Sequence, residues 1–291
     1  MAIRIGSARD RSDAVCKNAP SHAGIANEGI RMTTWVLLRG LMRESRHWGE
    51  FPHQLQKVIG DDDIVCLDFP GNGALFKQSS LTTIPEMAKH CHQQLQAKGC
   101  EPPYHVLAIS LGAMVAVAWA ELFPDELASM VLINTSFAPH NPFYQRLRPQ
   151  NYPRLIRTLL FGTTQKREAL ILSLTSQMTD QSAKAAIIDQ WIHYAREYPI
   201  KRSNILRQLR AASQFQAPKL APKTALLLLT ASQDQLVDVH CSQTLAEKWQ
   251  APLHIHPLAG HDLPLDDSQW VIKAIQEWRR DVFGDKAFDV A

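Results

Sequence analysis

A chain of 291 residues with 45% apolar and 20% charged side chains has ordinary globular composition, which leaves no room for a disordered or repeat protein. The 31 basic and 28 acidic residues give a formal charge of only +3. No apolar run reaches membrane-spanning length, and the first residues lack the apolar stretch of a secretory signal, so a cytoplasmic protein is expected.

Residues 1–31 carry scattered Gly, Ser, Asn and Pro without a sustained apolar period and read as a poorly ordered leader. Met32 stands just before the first convincing strand, so a native start there is expected. Strand-like apolar runs then follow at 35–38, 64–67, 104–109, 130–134, 224–230 and 253–256. Helical patterns alternate with them at 48–58, 84–98, 113–123, 241–249 and 270–282. Such alternation predicts a three-layer α/β fold, a mainly parallel sheet of about six strands covered on both faces. The core is therefore drawn over 32–136 and 217–291.

The rhythm breaks between 137 and 216, where helical segments at 152–161, 167–178, 183–197 and 203–215 follow one another with no strand between them. An all-helical cap inserted between two core strands is the economical reading. It holds twelve cations against four anions, a net charge of +8 that leaves −5 for the rest of the chain. Such segregation suits an anionic partner, and the alternative is a solvated helical surface serving solubility. The cap has no recognisable nucleic-acid motif.

Five cysteines, Cys16, Cys66, Cys91, Cys100 and Cys241, are odd in number and contain no Cys-x-x-Cys pair, which argues against a disulfide framework or a zinc ribbon. In His90-Cys91-His92 the two imidazoles would point to different helix faces, and His254 with His256 lack a third ligand. Neither a metal nor another cofactor is implied.

Chemistry is concentrated at three loops. The run 104–109 ends abruptly at Ser110, flanked by Ala108 and Gly112, and a helical pattern begins at once. A strand turning into a helix at a serine needs small neighbours, exposes the hydroxyl, and aims the free N–H groups of the first helical turn at any oxyanion beside it. Asp234 follows the strand at 224–230, with Asp238 as a more distant rival, and His261 follows the strand at 253–256. Asn134, at the end of the strand before, offers no carboxylate. The chain order of nucleophile, acid and base is thus Ser110, Asp234, His261.

That order, with each member on a loop after a strand, resembles the α/β-hydrolase superfamily from about residue 34 to 283. Three more stretches carry the resemblance: the strand into Arg39-Gly40-Leu41, the loop Asp68-Phe69-Pro70-Gly71-Asn72-Gly73, and the strand at 130–134. Two positions depart from the pattern, Ala108 for the usual Gly and Arg39 for the usual His. The resemblance assigns the oxyanion N–H groups to Leu41 and Leu111, and implies an acyl-enzyme route to hydrolysis of a carboxylic ester or thioester.

The Ser110-Leu111-Gly112 elbow beneath an arginine-rich helical cap also resembles esterases that cleave the methyl ester of pimeloyl-acyl carrier protein, in which the cap docks an acidic carrier. Proline iminopeptidases share the architecture, but they need an acidic group for the substrate amine, which a strongly basic cap does not favour. A small-molecule ester substrate is expected, with an acyl carrier protein as a possible partner. Arg39, assisted by Arg43 or Arg46, is a candidate for binding a substrate carboxylate or phosphate; the competing reading pairs Arg39 with Asp68 or Glu44. Two other functions stay open: a C–C or C–X bond hydrolase or lyase on the same scaffold, and a non-catalytic protein retaining the fold.

Overall fold

The computed structural model of the chain describes residues 33–60 and 62–284. The leader, Met32 and residues 285–291 lie outside the described residues. Six strands, β1 (Thr34–Leu38), β2 (Asp63–Leu67), β3 (Tyr104–Ile109), β4 (Leu127–Ile133), β5 (Ala225–Ala231) and β6 (Leu253–His256), form one sheet in the order β2-β1-β3-β4-β5-β6. Every pairing between them is parallel.

The helices, in chain order, are α1 (Phe51–Ile59), α2 (Ile84–Ala97), α3 (Leu111–Leu122), α4 (Phe143–Arg146), α5 (Tyr152–Phe161), α6 (Thr164–Thr175), α7 (Gln181–Glu197), α8 (Arg202–Gln214), α9 (His240–Trp249), α10 (Leu263–Asp266) and α11 (Ser268–Phe283). Side chains alternate across each strand, so one face of the sheet presents Trp35, Leu37, Leu107, Val131 and Leu229 to α1 and α11. The opposite face presents Val36, Val106, Met130, Leu132 and Leu228 to α2, α3 and α9. Each such side chain, fully withdrawn from water, contributes about 1.5–3 kcal/mol. Helix α3 is the most enclosed, with every residue from Leu111 to Ala120 buried, which is why its sequence is apolar all round.

Element boundaries shift where capping decides them. The helix expected at 48–58 is split: a 3-10 turn over Ser45–Trp48 ends at Gly49, whose φ of 54° only glycine adopts cheaply, and α1 starts at Phe51 with Pro52 in its first turn. Helix α6 begins three residues before the expected 167 because the Thr163 hydroxyl accepts from the Lys166 N–H. Asp180 caps α7 and Asp267 caps α11 in the same way.

Strand order reverses between β1 and β3. From β1 the chain steps outward to β2, then returns to β3 on the other side, so the loops leaving β1 and β3 diverge above Leu38 and Ala108 and open a crevice there. Helices α4 to α8, all between β4 and β5, form a helical cap region.

Candidate active site

Ser110 stands at that crevice. Its N–H donates to the Ile133 carbonyl at 3.0 Å, closing β3 against β4, and α3 begins one residue later. The turn forces φ 56° and ψ −115° on a residue with a Cβ, a conformation that costs about 1–3 kcal/mol and persists only because the packing around it imposes it. Gly112 is required by the neighbouring chain: a Cβ there would lie 2.5 Å from the Leu38 carbonyl oxygen and 2.8 Å from that of Arg39. A Cβ on Gly40 would come within 3.2 Å of the Ser110 Cβ. These close approaches bring the loop after β1 against the serine.

That loop is a tight turn, with the Arg43 N–H on the Gly40 carbonyl at 3.2 Å and Met42 held at φ 62°. The strain at Met42 is stabilised from the cap, because its N–H donates to Gln208 Oε1 of α8 at 3.1 Å. Gln208 Nε2 is itself anchored on Asn72 Oδ1 and Ser80 Oγ. The Leu41 and Leu111 amides have no hydrogen-bond acceptor among the described residues.

Asp234 and His261 are buried and joined, His261 Nδ1 to Asp234 Oδ2 at 2.6 Å. The other carboxylate oxygen accepts from the Leu236 and Val237 N–H groups at 2.7 and 3.0 Å, so Asp234 cannot rotate away. Since an ionised carboxylate only accepts, the His261 proton lies on Nδ1 and leaves Nε2 as a base. Burial lowers the His261 pKa, but the Asp234 charge and hydrogen bond outweigh it and hold the pKa above its ordinary value. Asp238, the rival acid, bonds instead to His240 Nδ1 at 2.6 Å.

Asn134 has a role that its lack of a carboxylate concealed. Its amide NH2 donates to the carbonyls of Gly260 and His261, at 3.1 and 2.8 Å, while its oxygen accepts from Thr230 Oγ1 and the Ala231 N–H. One side chain at the end of β4 thereby locks the histidine loop to the end of β5. A polar residue closing an apolar strand was the only sequence signal for it.

Arg39 pairs with neither Asp68 nor Glu44. It makes a two-pronged, buried ion pair with Asp262, next to the histidine, and lies over the Trp48 ring at 4.7 Å. Asp68 accepts from the N–H groups of Ser45 and Ala74, and Glu44 pairs with Arg46. Arg43 Nη1 donates to Glu168 of α6 at 2.7 Å and to His47 Nε2 at 2.8 Å, beneath the Trp191 ring. Because an arginine only donates, His47 Nε2 is the acceptor of this bond. Burial lowers its pKa, with the Arg43 charge adding to the effect, and keeps it neutral.

Ser110, His261, Leu41, Leu111, Arg39 and Arg43 all line one cavity of about 530 Å³ between core and cap. Most of the remaining lining is apolar, including Met114, Leu155, Leu170 and Val237. No group of three His, Cys, Asp or Glu side chains suited to a metal ion occurs among the described residues.

A serine at a strained strand-to-helix turn and a buried Asp–His pair thus stand at one capped apolar cavity, at the switch point of a parallel sheet. The chain belongs to the alpha/beta hydrolase fold family, whose model matches residues 36–268. It is similar to mouse monoacylglycerol lipase ABHD6, 23% identical over 84% of this chain and 74% of that protein. It is also similar to RutD of Pseudomonas savastanoi pv. phaseolicola, named as a candidate carbamate hydrolase, 29% identical over 80% of this chain and 88% of the other. Among solved structures, the 2-hydroxy-6-oxo-6-phenylhexa-2,4-dienoate hydrolase of Rhodococcus sp. strain RHA1 shares the fold, with a TM-score of 0.70, 17% identity and coverage of 86% and 91%. The chain is thus an α/β-hydrolase enzyme.

Proposed function

We propose that the protein is a serine hydrolase that cleaves a carboxylic ester through an acyl-enzyme. His261 Nε2 takes the proton of Ser110 as its oxygen attacks the substrate carbonyl, Asp234 holds the imidazole in the required tautomer, and the alcohol leaves with the proton from His261. Water activated by the same histidine then releases the acid. The Leu41 and Leu111 N–H groups stabilise the oxyanion, each worth about 3 kcal/mol in sites of this kind. Residues 137–216 act as the cap that closes this site over the core of 32–136 and 217–291.

The observation that carries the reading is the Asp234–His261 bond of 2.6 Å on the same cavity as a strained Ser110. The apolar lining favours an acyl chain over a polar acid. Arg39 and Arg43 face the cavity already opposed by Asp262 and Glu168, so they act mainly as supports of the catalytic loop and only secondarily as anion binders. An acidic acyl carrier protein as bearer of the acyl group is a reading that the cap's charge alone supports.

Hydrolysis of p-nitrophenyl esters from acetyl to lauroyl by wild type and Ser110→Ala tests the proposal. Turnover that favours the longer chains and vanishes in the variant is expected. A variant as active as wild type would refute it, and a wild type inert on every ester would turn the reading toward C–C or C–X bond cleavage.

A further inference from the structure

Helix α5 is amphipathic, with Arg154 and Arg157 on its exposed side, yet it also leaves large apolar side chains open to water. None of its residues is buried. Tyr152, Leu155, Thr158 and Leu159 line the cavity on its inner side, while Ile156, which reaches the cavity edge, is 56% exposed. Leu160 and Phe161 are 49% and 80% exposed. Ile156 and Leu160 are one turn apart and share the outer face. The same cavity is lined by Phe143, 71% exposed, whose ring centroid lies 5.7 Å from that of its exposed neighbour Tyr144. Large apolar side chains exposed in this number around a cavity mouth mark an interaction surface.

The charges around this surface indicate what covers it. Arg154 and Arg157 are exposed on α5, and Lys166 is exposed just beyond it. Among the described residues the ion pairs of the cap join Glu168 to Arg43 and Arg167, Glu197 to Arg46, and Arg148 to Asp238. Arg154, Arg157 and Lys166 take part in none of them. Of the four cap carboxylates, Glu168 is buried against Arg43 and the half-exposed Glu197 is engaged by Arg46 of the core, which leaves Arg154, Arg157 and Lys166 without a carboxylate to offset them.

We propose that α5 and the Phe143–Tyr144 corner dock on an anionic lipid surface, so that the cavity over Ser110 opens toward the bilayer and takes its acyl substrate from there. Leu160, Phe161, Phe143 and Tyr144 enter the acyl boundary, and Arg154, Arg157 and Lys166 meet lipid phosphates. A helix of this composition lies in the interface plane, and no described helix is long and apolar enough to cross a membrane. An acidic carrier protein would meet the cations equally well, but it offers no apolar layer for Phe161 and Leu160. The purpose of the docking rests on the esterase reading; the docking itself does not.

Co-flotation of the full chain with phosphatidylcholine vesicles, with and without phosphatidylglycerol, separates the possibilities. Wild type and Ser110→Ala are expected to float equally with the anionic vesicles and weakly with neutral ones, whatever the outcome for catalysis. Leu160→Ser/Phe161→Asp is expected to lose binding by on the order of tenfold, as is Arg154→Gln/Arg157→Gln, the latter with a flatter salt dependence. Both double variants, altered only at exposed positions, keep wild-type hydrolysis of p-nitrophenyl acetate. Wild type indifferent to both vesicles, or equal flotation by Leu160→Ser/Phe161→Asp, would overturn the proposal. Binding to an acidic acyl carrier protein that depends on Leu160 and Phe161, with vesicles ignored, would also overturn it and assign the face to a protein.

Discussion

Arg39 to Arg43 and Asp262 line one wall of the cavity, the same loop runs on behind it to Trp48, and its arginines meet carboxylates: Arg39 with Asp262, Arg43 with Glu168, Arg46 with Glu44 and Glu197. On the other wall α5 has no buried residue and meets its neighbours mainly through cavity-lining apolar side chains. The first wall is costly, because desolvating charges offsets most of their attraction, and what it secures is geometry. The second is cheap to displace. Under the proposed mechanism, the contrast places rigidity where N–H groups have to point at an oxyanion and freedom where a substrate has to enter.

The contrast breaks most severely at the buried acid. Asp234→Asn favours the wrong imidazole tautomer and is expected to lower kcat by about 10⁴ while leaving α5 untouched, as ester kinetics would register. Next, Asp262→Ala strands the Arg39 guanidinium in the interior. It is expected to cost about 3–5 kcal/mol in urea unfolding, whereas Arg39→Met/Asp262→Leu recovers most of that loss. An Asp262→Ala protein as stable as wild type would remove the anchored wall from the account.

A smaller effect sharpens the link between cap and chemistry. Gln208→Leu frees the Met42 N–H and loosens the turn that carries Leu41. Loss of about tenfold in kcat with little change in KM is expected, an indirect fraction of what a direct oxyanion donor supplies. Leu160→Ser on the free wall should change neither constant for a soluble ester.

The smallest effects are in pH. With its pKa held above the ordinary value, His261 is the neutral base only at higher pH, so activity should rise through a pKa above 6.5 and that limb should move to lower pH in Asp234→Asn. The same raised pKa adds stability that is fully present below the unfolded pKa and lost as pH rises through the folded one. Glu44, pushed up to about 7 by burial and by the nearby Asp68, acts with the same sign: it favours the folded state below its ordinary 4.5, and that advantage disappears as pH rises through about 7. Unfolding of Glu44→Gln against wild type should show the variant gaining in relative stability across that interval. A difference independent of pH would contradict the burial assigned to Glu44.

Legibility in the sequence followed the range of the forces. The parallel sheet was readable because continuous apolar runs are what strands buried on both faces require, and the strand-to-helix turn at Ser110 because such a turn needs small residues beside it. Asp262 was not readable as the partner of Arg39: the two are 223 positions apart, and closer carboxylates at Glu44 and Asp68 were equally plausible until the loops were built. Asn134 and Gln208 were missed because their amides bind backbone groups and neutral side chains brought in from distant segments, which leave no residue-type signature. In 152–161 the apolar period was clear, but periodicity does not tell which side of a helix faces a cavity and which faces water.

Intact-mass and peptide-level detection of Ser110 after a rapid acid quench of wild type turning over p-nitrophenyl laurate tests the central claim most directly. The account predicts a lauroyl adduct on Ser110 in wild type that is absent from Ser110→Ala and His261→Ala. Steady turnover with no adduct at any quench time, or an adduct on a different residue, would contradict it.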